Sequence, residues 1–135
     1  MIYADTDFFM ALIKESDWLK PSAQRLLKEY KGKIWTSPAT LAELLLMAVK
    51  MNLDPEKMMM DTLNYAQLRG GPPDVYMVAA VYIKDKKMGA FDALHAAFCG
   101  LDCPILSSDK IFDKLGMKRI RLEQKGDSSP AGTLK

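Results

Sequence analysis

The feature that most limits the fold is a repeated pairing of a short apolar run, a polar residue that closes it, and a segment with helical spacing. Met1-Ile2-Tyr3-Ala4 closes at Asp5-Thr6, and Phe8, Phe9, Leu12 and Ile13 follow at helical period. Lys33-Ile34-Trp35-Thr36 closes at Ser37-Pro38, a cap with proline at the first helical position, and the next helix runs to about Met51. Pro104-Ile105-Leu106 leads to a short helix around Ile111 to Leu115, stopped by Gly116. Apolar runs this short and without alternation read as strands buried on both faces, and strands that alternate with helices build a parallel sheet. The spacing predicts an α/β fold, a small parallel sheet with helices on both faces.

The remaining segments fit around that frame. After Pro21, Ala23, Leu26, Leu27 and Tyr30 form one apolar stripe, and Gly32 ends it. The helix from Pro38 is apolar nearly all round, which predicts a central place. Asp54-Pro55-Glu56 opens another, expected to run toward Arg69 before Gly70-Gly71-Pro72-Pro73 stops it. Its Met58-Met59-Met60 triplet reads as core filler or as a subunit or partner contact. Val75, Val78, Ala79, Tyr82 and Ile83 mark a helix from Asp74 to about Lys87, and a further one runs from Phe91 to Gly100. Arg119-Ile120-Arg121-Leu122 alternates as a half-exposed edge strand does. Residues 1–125 read as a single domain, and 126–135 as a frayed tail rich in Ser, Pro and Gly.

Composition excludes several classes. A chain of 135 residues, 49% hydrophobic and 27% charged, has the balance of one globular domain, and its core needs neither disulfide nor structural metal. No apolar run reaches the roughly 20 residues of a membrane span, and the start lacks the pattern of a secretion signal, so a cytoplasmic protein is expected. Cys99 and Cys103 read as small core side chains. They recur with His95 every four residues, which leaves a zinc site as a minor alternative, although one histidine excludes most such sites. No Gly-x-Ser-x-Gly turn or phosphate-cradling glycine loop is present.

The informative anomaly is acidic. Glu43 and Asp92 each sit inside an apolar helical stretch, where an isolated carboxylate must neutralise, pair with a cation or bind metal. Asp5 and Asp109 directly follow apolar strands, where open parallel sheets place their binding crevice. Asp5, Asp92 and Asp109 also suit helix N-caps, and that reading stays open, whereas Glu43 lies too far inside its helix to cap it. Converging carboxylates make an all-oxygen site suited to Mg²⁺ or Mn²⁺, and the chemistry such an ion supports is phosphodiester hydrolysis. The net charge of +2 announces no polyanion binder. Without these four of the 17 acids, however, the rest of the chain sets 19 basic against 13 acidic groups. Lys110, Lys114, Lys118, Arg119 and Arg121 cluster after Asp109 and are candidate contacts to a nucleic-acid backbone, or a solvated face.

The stretches Tyr3-Ala4-Asp5-Thr6-Asp7-Phe8-Phe9, Leu41-Ala42-Glu43-Leu44, Phe91-Asp92-Ala93-Leu94-His95-Ala96-Ala97 and Ile105-Leu106-Ser107-Ser108-Asp109-Lys110-Ile111-Phe112 follow one another in an order that resembles the PIN-domain nucleases. In particular, it resembles the compact VapC-like toxins of toxin–antitoxin pairs. The resemblance spans Ile2 to about Leu122 and implies a three-layer α/β/α sandwich. It also implies a Mg²⁺- or Mn²⁺-dependent endoribonuclease site made by Asp5, Glu43, Asp92 and Asp109, with Thr6 and Ser107 orienting them. Its implied partners are an RNA substrate, a small antitoxin protein and a second copy of the chain. Many relatives carry a further acid two positions after the one matching Asp109. Here that place is Ile111, and Asp113 is the nearest substitute, which leaves one or two metal ions open. The competing readings are a PIN-like module that binds RNA or protein without catalysis, and an RNA-processing nuclease outside toxin–antitoxin systems.

Overall fold

The computed structural model describes residues 1–123. The domain end expected at 125 and the tail 126–135 lie outside the described residues. Five strands, β1 (Ile2–Ala4), β2 (Ile34–Thr36), β3 (Gln67–Leu68), β4 (Ile105–Ser107) and β5 (Arg119–Arg121), form one parallel sheet in the order β3-β2-β1-β4-β5. Seven helices connect them: α1 (Thr6–Ile13), α2 (Lys20–Glu29), α3 (Pro38–Met51), α4 (Pro55–Tyr65), α5 (Asp74–Lys86), α6 (Ala90–Cys99) and α7 (Ile111–Lys114). No helix among the described residues is long and apolar enough to cross a membrane.

Alternation along the buried strands sorts the core into two layers. Ile2, Ala4, Ile34 and Leu106 face a cluster with Phe8, Phe9, Leu12, Leu26 and Leu44. Tyr3, Trp35 and Ile105 face the other way, against Ala79, Ala93, Ala96 and Phe112. The result is the three-layer α/β/α arrangement. Gly32 (φ 79°) and Gly116 (φ 78°) adopt the left-handed backbone that ends their segments, a conformation with little cost only for glycine.

The structure corrects three expectations. The helix through the methionine triplet stops at Tyr65 rather than running toward Arg69, and the chain pairs β3 with β2. That two-residue strand is exposed and has no apolar pattern to announce it. α3 is not central: Leu44 and Ala48 are buried, but Leu45, Leu46 and Met51 are exposed and Val49 is 84% exposed. In α5 only Val75 and Ala79 are buried, while Val78 and Ile83, expected on the same stripe, face outward. Within the methionine triplet, Met58 is buried, Met59 packs against the core and Met60 is exposed.

Candidate active site

β1 lies between β2 and β4, so the crossovers leaving it diverge and open a crevice at the carboxyl ends of β1 and β4. A cavity of about 720 Å³ occupies that place. Asp5, Asp7, Glu43, Asp92 and Asp109 all line it, with Lys14 and Lys110. The four predicted acids thus reach one cleft from four elements: the end of β1, the middle of α3, the first turn of α6 and the loop after β4.

Asp5 does two things at once. Its Oδ1 caps α1 by accepting from the Thr6 backbone N–H at 2.7 Å, and its Oδ2 accepts from Ser107 Oγ at 2.7 Å. Cap and site residue are the same residue here. The Ser107 hydroxyl in turn accepts from the Asp109 N–H at 3.0 Å, and Asp109 Oδ1 accepts from the Ile111 N–H at 3.0 Å, which orders the turn into α7. Thr6 Oγ1 donates to Glu43 Oε1 at 2.5 Å. Thr6 and Ser107 therefore touch the carboxylates they were expected to orient. Ser37, expected as the cap of α3, occupies the N-cap place without a side-chain capping bond and shares a 2.7 Å hydrogen bond with the Tyr3 hydroxyl instead.

Two residues were missed as site members. His95, 1% exposed, stands beneath the cleft: its Nε2 lies 2.8 Å from Glu43 Oε1 and 3.1 Å from Asp5 Oδ1, and its Nδ1 shares a 2.7 Å bond with the Tyr3 hydroxyl. Its sequence signal was the spacing from Asp92, since residues three apart share a helix face. Asp7, beside Asp5 in the first turn of α1, accepts through Oδ2 from the Ser108 N–H at 2.9 Å and from the Ser108 hydroxyl. The two cysteines stay free: Cys99 is buried, Cys103 is half-buried, and neither joins the acids.

The charges explain one another. Burial disfavours the His95 imidazolium, but Asp5, Tyr3 and Glu43 around it raise its pKa well above the ordinary value, so it is a buried cation at neutral pH. Burial pushes Glu43 up, yet the hydrogen bonds from His95 and Thr6 outweigh it and leave the carboxyl below its usual range. Asp5 is raised by burial, against the pull of His95. Burial and then the charges of Asp109 and Asp5 push Asp92 up to about 6, and burial and then Asp5 push Asp7 up to about 8. Such an excess of carboxyl groups calls for cations.

The donor set fits a divalent metal. Oxygens of Asp5 and Glu43 lie within 4.8 Å of each other and of His95 Nε2, which as an imidazolium nitrogen orients them rather than joining them as a ligand, and Asp92 and Asp109 line the same cleft. Asp113 does not reach it. Both its oxygens accept from Arg119 at 3.0 Å, and Arg119 Nη1 also lies 2.8 Å from Glu123 Oε1, so this side chain is 5% exposed and fully engaged. Lys110, Lys114, Lys118 and Arg121, the other basic candidates, are exposed.

Fold and cleft together define a doubly wound parallel sheet with a carboxylate centre at its switch point. The chain belongs to the PIN domain family, whose profile matches residues 2–118. Among solved structures, it is similar to the Mycobacterium tuberculosis toxin VapC20, described as cleaving the sarcin-ricin loop. Identity is 19% with a TM-score of 0.78, covering 90% of this chain and 99% of that one. A toxin–antitoxin complex from Klebsiella pneumoniae (15%, TM-score 0.71, 93% and 100%) and Rickettsia felis VapBC2 bound to promoter DNA (16%, 0.69, 90% and 98%) share the fold. No curated protein matches the sequence.

Proposed function

We propose that this protein is a Mg²⁺- or Mn²⁺-dependent endoribonuclease, the toxin of a toxin–antitoxin pair, acting in the cytoplasm. The observation that carries the reading is the meeting of Asp5, Glu43, Asp92 and Asp109 in one cleft at the switch point of the sheet. These four hold the cation in this reading. When bound, the ion supplies an activated water and charge stabilisation for phosphodiester hydrolysis. Thr6 and Ser107 fix the rotamers of Glu43 and Asp5, and Tyr3 and His95 hold that pair from below. Lys110, on the cleft wall, meets a backbone phosphate, with Lys114 and Arg121 extending the contact.

The partners follow the same logic. The solved relatives include toxins with their antitoxins. Met10, Leu19, Met47 and Met51 give the acidic cleft an apolar border suited to an amphipathic, cationic segment of a small antitoxin. Leu46 and Val49 on α3 and Tyr76, Met77 and Val81 on α5 are exposed apolar side chains that fit a homodimer contact. The test is cleavage of a labelled single-stranded RNA with Mg²⁺, Mn²⁺ or EDTA, beside Asp5→Asn. Cutting that needs the metal and falls at least about 100-fold in the variant is expected. A folded, inhibitor-free protein that cuts no RNA with either metal, ribosomal and transfer RNA included, overturns the reading.

A further inference from the structure

The cleft extends well beyond its acid centre. Asp7, Met10 and Lys14 recur at steps of three and four residues along α1, and Glu43, Met47 and Met51 at steps of four along α3, so each helix turns one stripe to the same cleft. Both stripes start at carboxylates and turn apolar. Met10 and Leu19 are buried, and Met47 is half-buried. At 1.5 Å per residue, α1 carries Lys14 about 12 Å away from Thr6. There Lys14 Nζ lies 3.4 Å from Asp17 Oδ2, with the two side chains 30% and 13% exposed.

Asp17 is the sixth acid of the cleft, and it stands on the loop between α1 and α2, at the opposite end of α1 from Asp5. Its Oδ1 accepts from the Leu19 N–H at 2.9 Å, which fixes the carboxylate, and each oxygen keeps a lone pair for a further donor. Single-stranded RNA is read through bases splayed out of the stack, laid on a side-chain surface and hydrogen-bonded along their Watson–Crick edge. Methionine suits the first part, because its thioether packs against flat rings. The ion pair suits the second. Guanine is the one RNA base whose edge offers two adjacent N–H donors, at N1 and N2, to a carboxylate and beside them an acceptor, O6, to an ammonium. Adenine and cytosine offer one amino group beside a ring acceptor, and uracil one N–H between two carbonyls.

We propose that the groove between α1 and α3 binds a guanine base of the RNA close to the scissile bond, a role that rests on the nuclease reading above. Met10, Met47 and Met51 form its platform, Asp17 accepts from N1–H and N2–H, and Lys14 donates to O6. The cleft then has two parts, a centre that cuts and a groove that selects where.

The test maps the cuts that the full chain makes, with Mn²⁺, in a random-sequence single-stranded RNA, and then measures cleavage of one RNA with guanine, inosine or adenine at the enriched position. Inosine lacks only the N2 amino group. Guanine at a fixed distance from the cut is expected, with kcat/KM at least about 10-fold lower for inosine, the loss of one hydrogen bond to a charged group, and lower still for adenine. Asp17→Asn keeps an oxygen for the Leu19 N–H and should close the gap between guanine and inosine. Should it fail to fold, Lys14→Met, expected to narrow the gap between guanine and adenine, decides together with the wild-type inosine comparison. Cutting without base preference, or a guanine preference that the variants leave intact, overturns the inference, leaves the groove to the antitoxin segment and keeps the nuclease reading in place. A chain that cuts no RNA brings down the nuclease reading separately. Binding of the guanine and inosine RNAs in EDTA then decides the groove: tighter binding of guanine supports it, and equal affinities overturn it.

Discussion

Two cavities of nearly equal size lie at opposite ends of the sheet and differ in everything but volume. The cleft at the carboxyl ends of β1 and β4 measures about 720 Å³ and is lined by six acids, Asp17 among them. The other, about 670 Å³, lies by the amino ends of β2 and β3, and Leu27, Ile34, Leu63, Tyr65, Lys28 and Lys31 line it without any acid. Helix ends explain part of the contrast: α1 points its positive amino terminus at the first cavity, and Lys28 and Lys31 sit at the negative carboxyl end of α2 beside the second. Volume does not make a site. Converging charge that the fold must neutralise does.

The largest effect that would break this comparison is catalytic. Glu43→Gln is expected to lower RNA cleavage by at least about 100-fold, since its charge is one the cleft is built to hold. Lys28→Ala with Lys31→Ala should leave cleavage within about twofold, as for surface changes worth under about 0.5 kcal/mol. Rates measured side by side on one RNA decide it, and a reversed ranking would place function at the wrong end of the sheet.

The next effect is on stability. His95→Ala removes the cation from between Asp5 and Glu43 and takes one partner from the Tyr3 hydroxyl, which keeps Ser37. Breaking a buried pair in this way costs about 3–5 kcal/mol, so urea unfolding in EDTA should show a loss of that size. His95→Gln, which keeps hydrogen bonds but not charge, should fall in between. Variants as stable as the wild type would deny the imidazolium its structural part.

The sequence made the four acids legible because each broke a local rule, two as acids in apolar helices and two as acids at strand ends. It hid His95 for the opposite reason. A histidine in an apolar helix breaks no rule, and its partners Tyr3, Thr6 and Glu43 lie 92, 89 and 52 positions away. The Asp113–Arg119 pair was equally invisible, because a hydrogen-bonded ion pair across a turn looks in sequence like two free charges. Strands β1, β2 and β4 were readable from their burial on both faces. β3 was not, since its two exposed residues are held in place only by backbone pairing to β2.

The pH dependence of the metal-free protein sharpens the contrast further. Asp7 and Asp92 titrate near 8 and 6 in the folded chain, above the ordinary carboxyl value of about 4. The folded state holds these protons more tightly than the unfolded one, so the stability they bring is present at low pH and is lost as pH rises through those values. His95, also raised, acts in the same direction from 6.5 upward. Glu43, lowered, acts oppositely and only below about 4.5. In EDTA the protein should be less stable at pH 8.5 than at pH 5.5, by on the order of 3 kcal/mol for Asp7 alone. Asp7→Asn should flatten the decline and saturating Mn²⁺ should reverse it; a wild-type profile flat from 5.5 to 8.5 contradicts the charge balance drawn here.

The smallest effect concerns the rim of the cleft, where basic residues close together in sequence divide into two kinds. Lys110, Lys114 and Arg121 are exposed, and among the described residues only a 3.6 Å contact from Arg121 to Glu123 draws on their charge. Arg119 spends its charge on Asp113, Glu123 and the Ser107 carbonyl, and so braces β5 against β4 and α7. A phosphate gains little from a guanidinium already neutralised, because counterion release needs a charge that the nucleic acid can replace. Affinity for single-stranded RNA, measured in EDTA across a salt series, should therefore lose about 0.7 from its logarithmic slope for each of Lys110, Lys114 and Arg121 that contacts a phosphate when changed to Ala. Arg119→Ala should lower the melting temperature and leave the slope unchanged. A flattened slope in Arg119→Ala would mean that the ion-pair network opens when RNA arrives, making the brace itself part of the binding surface.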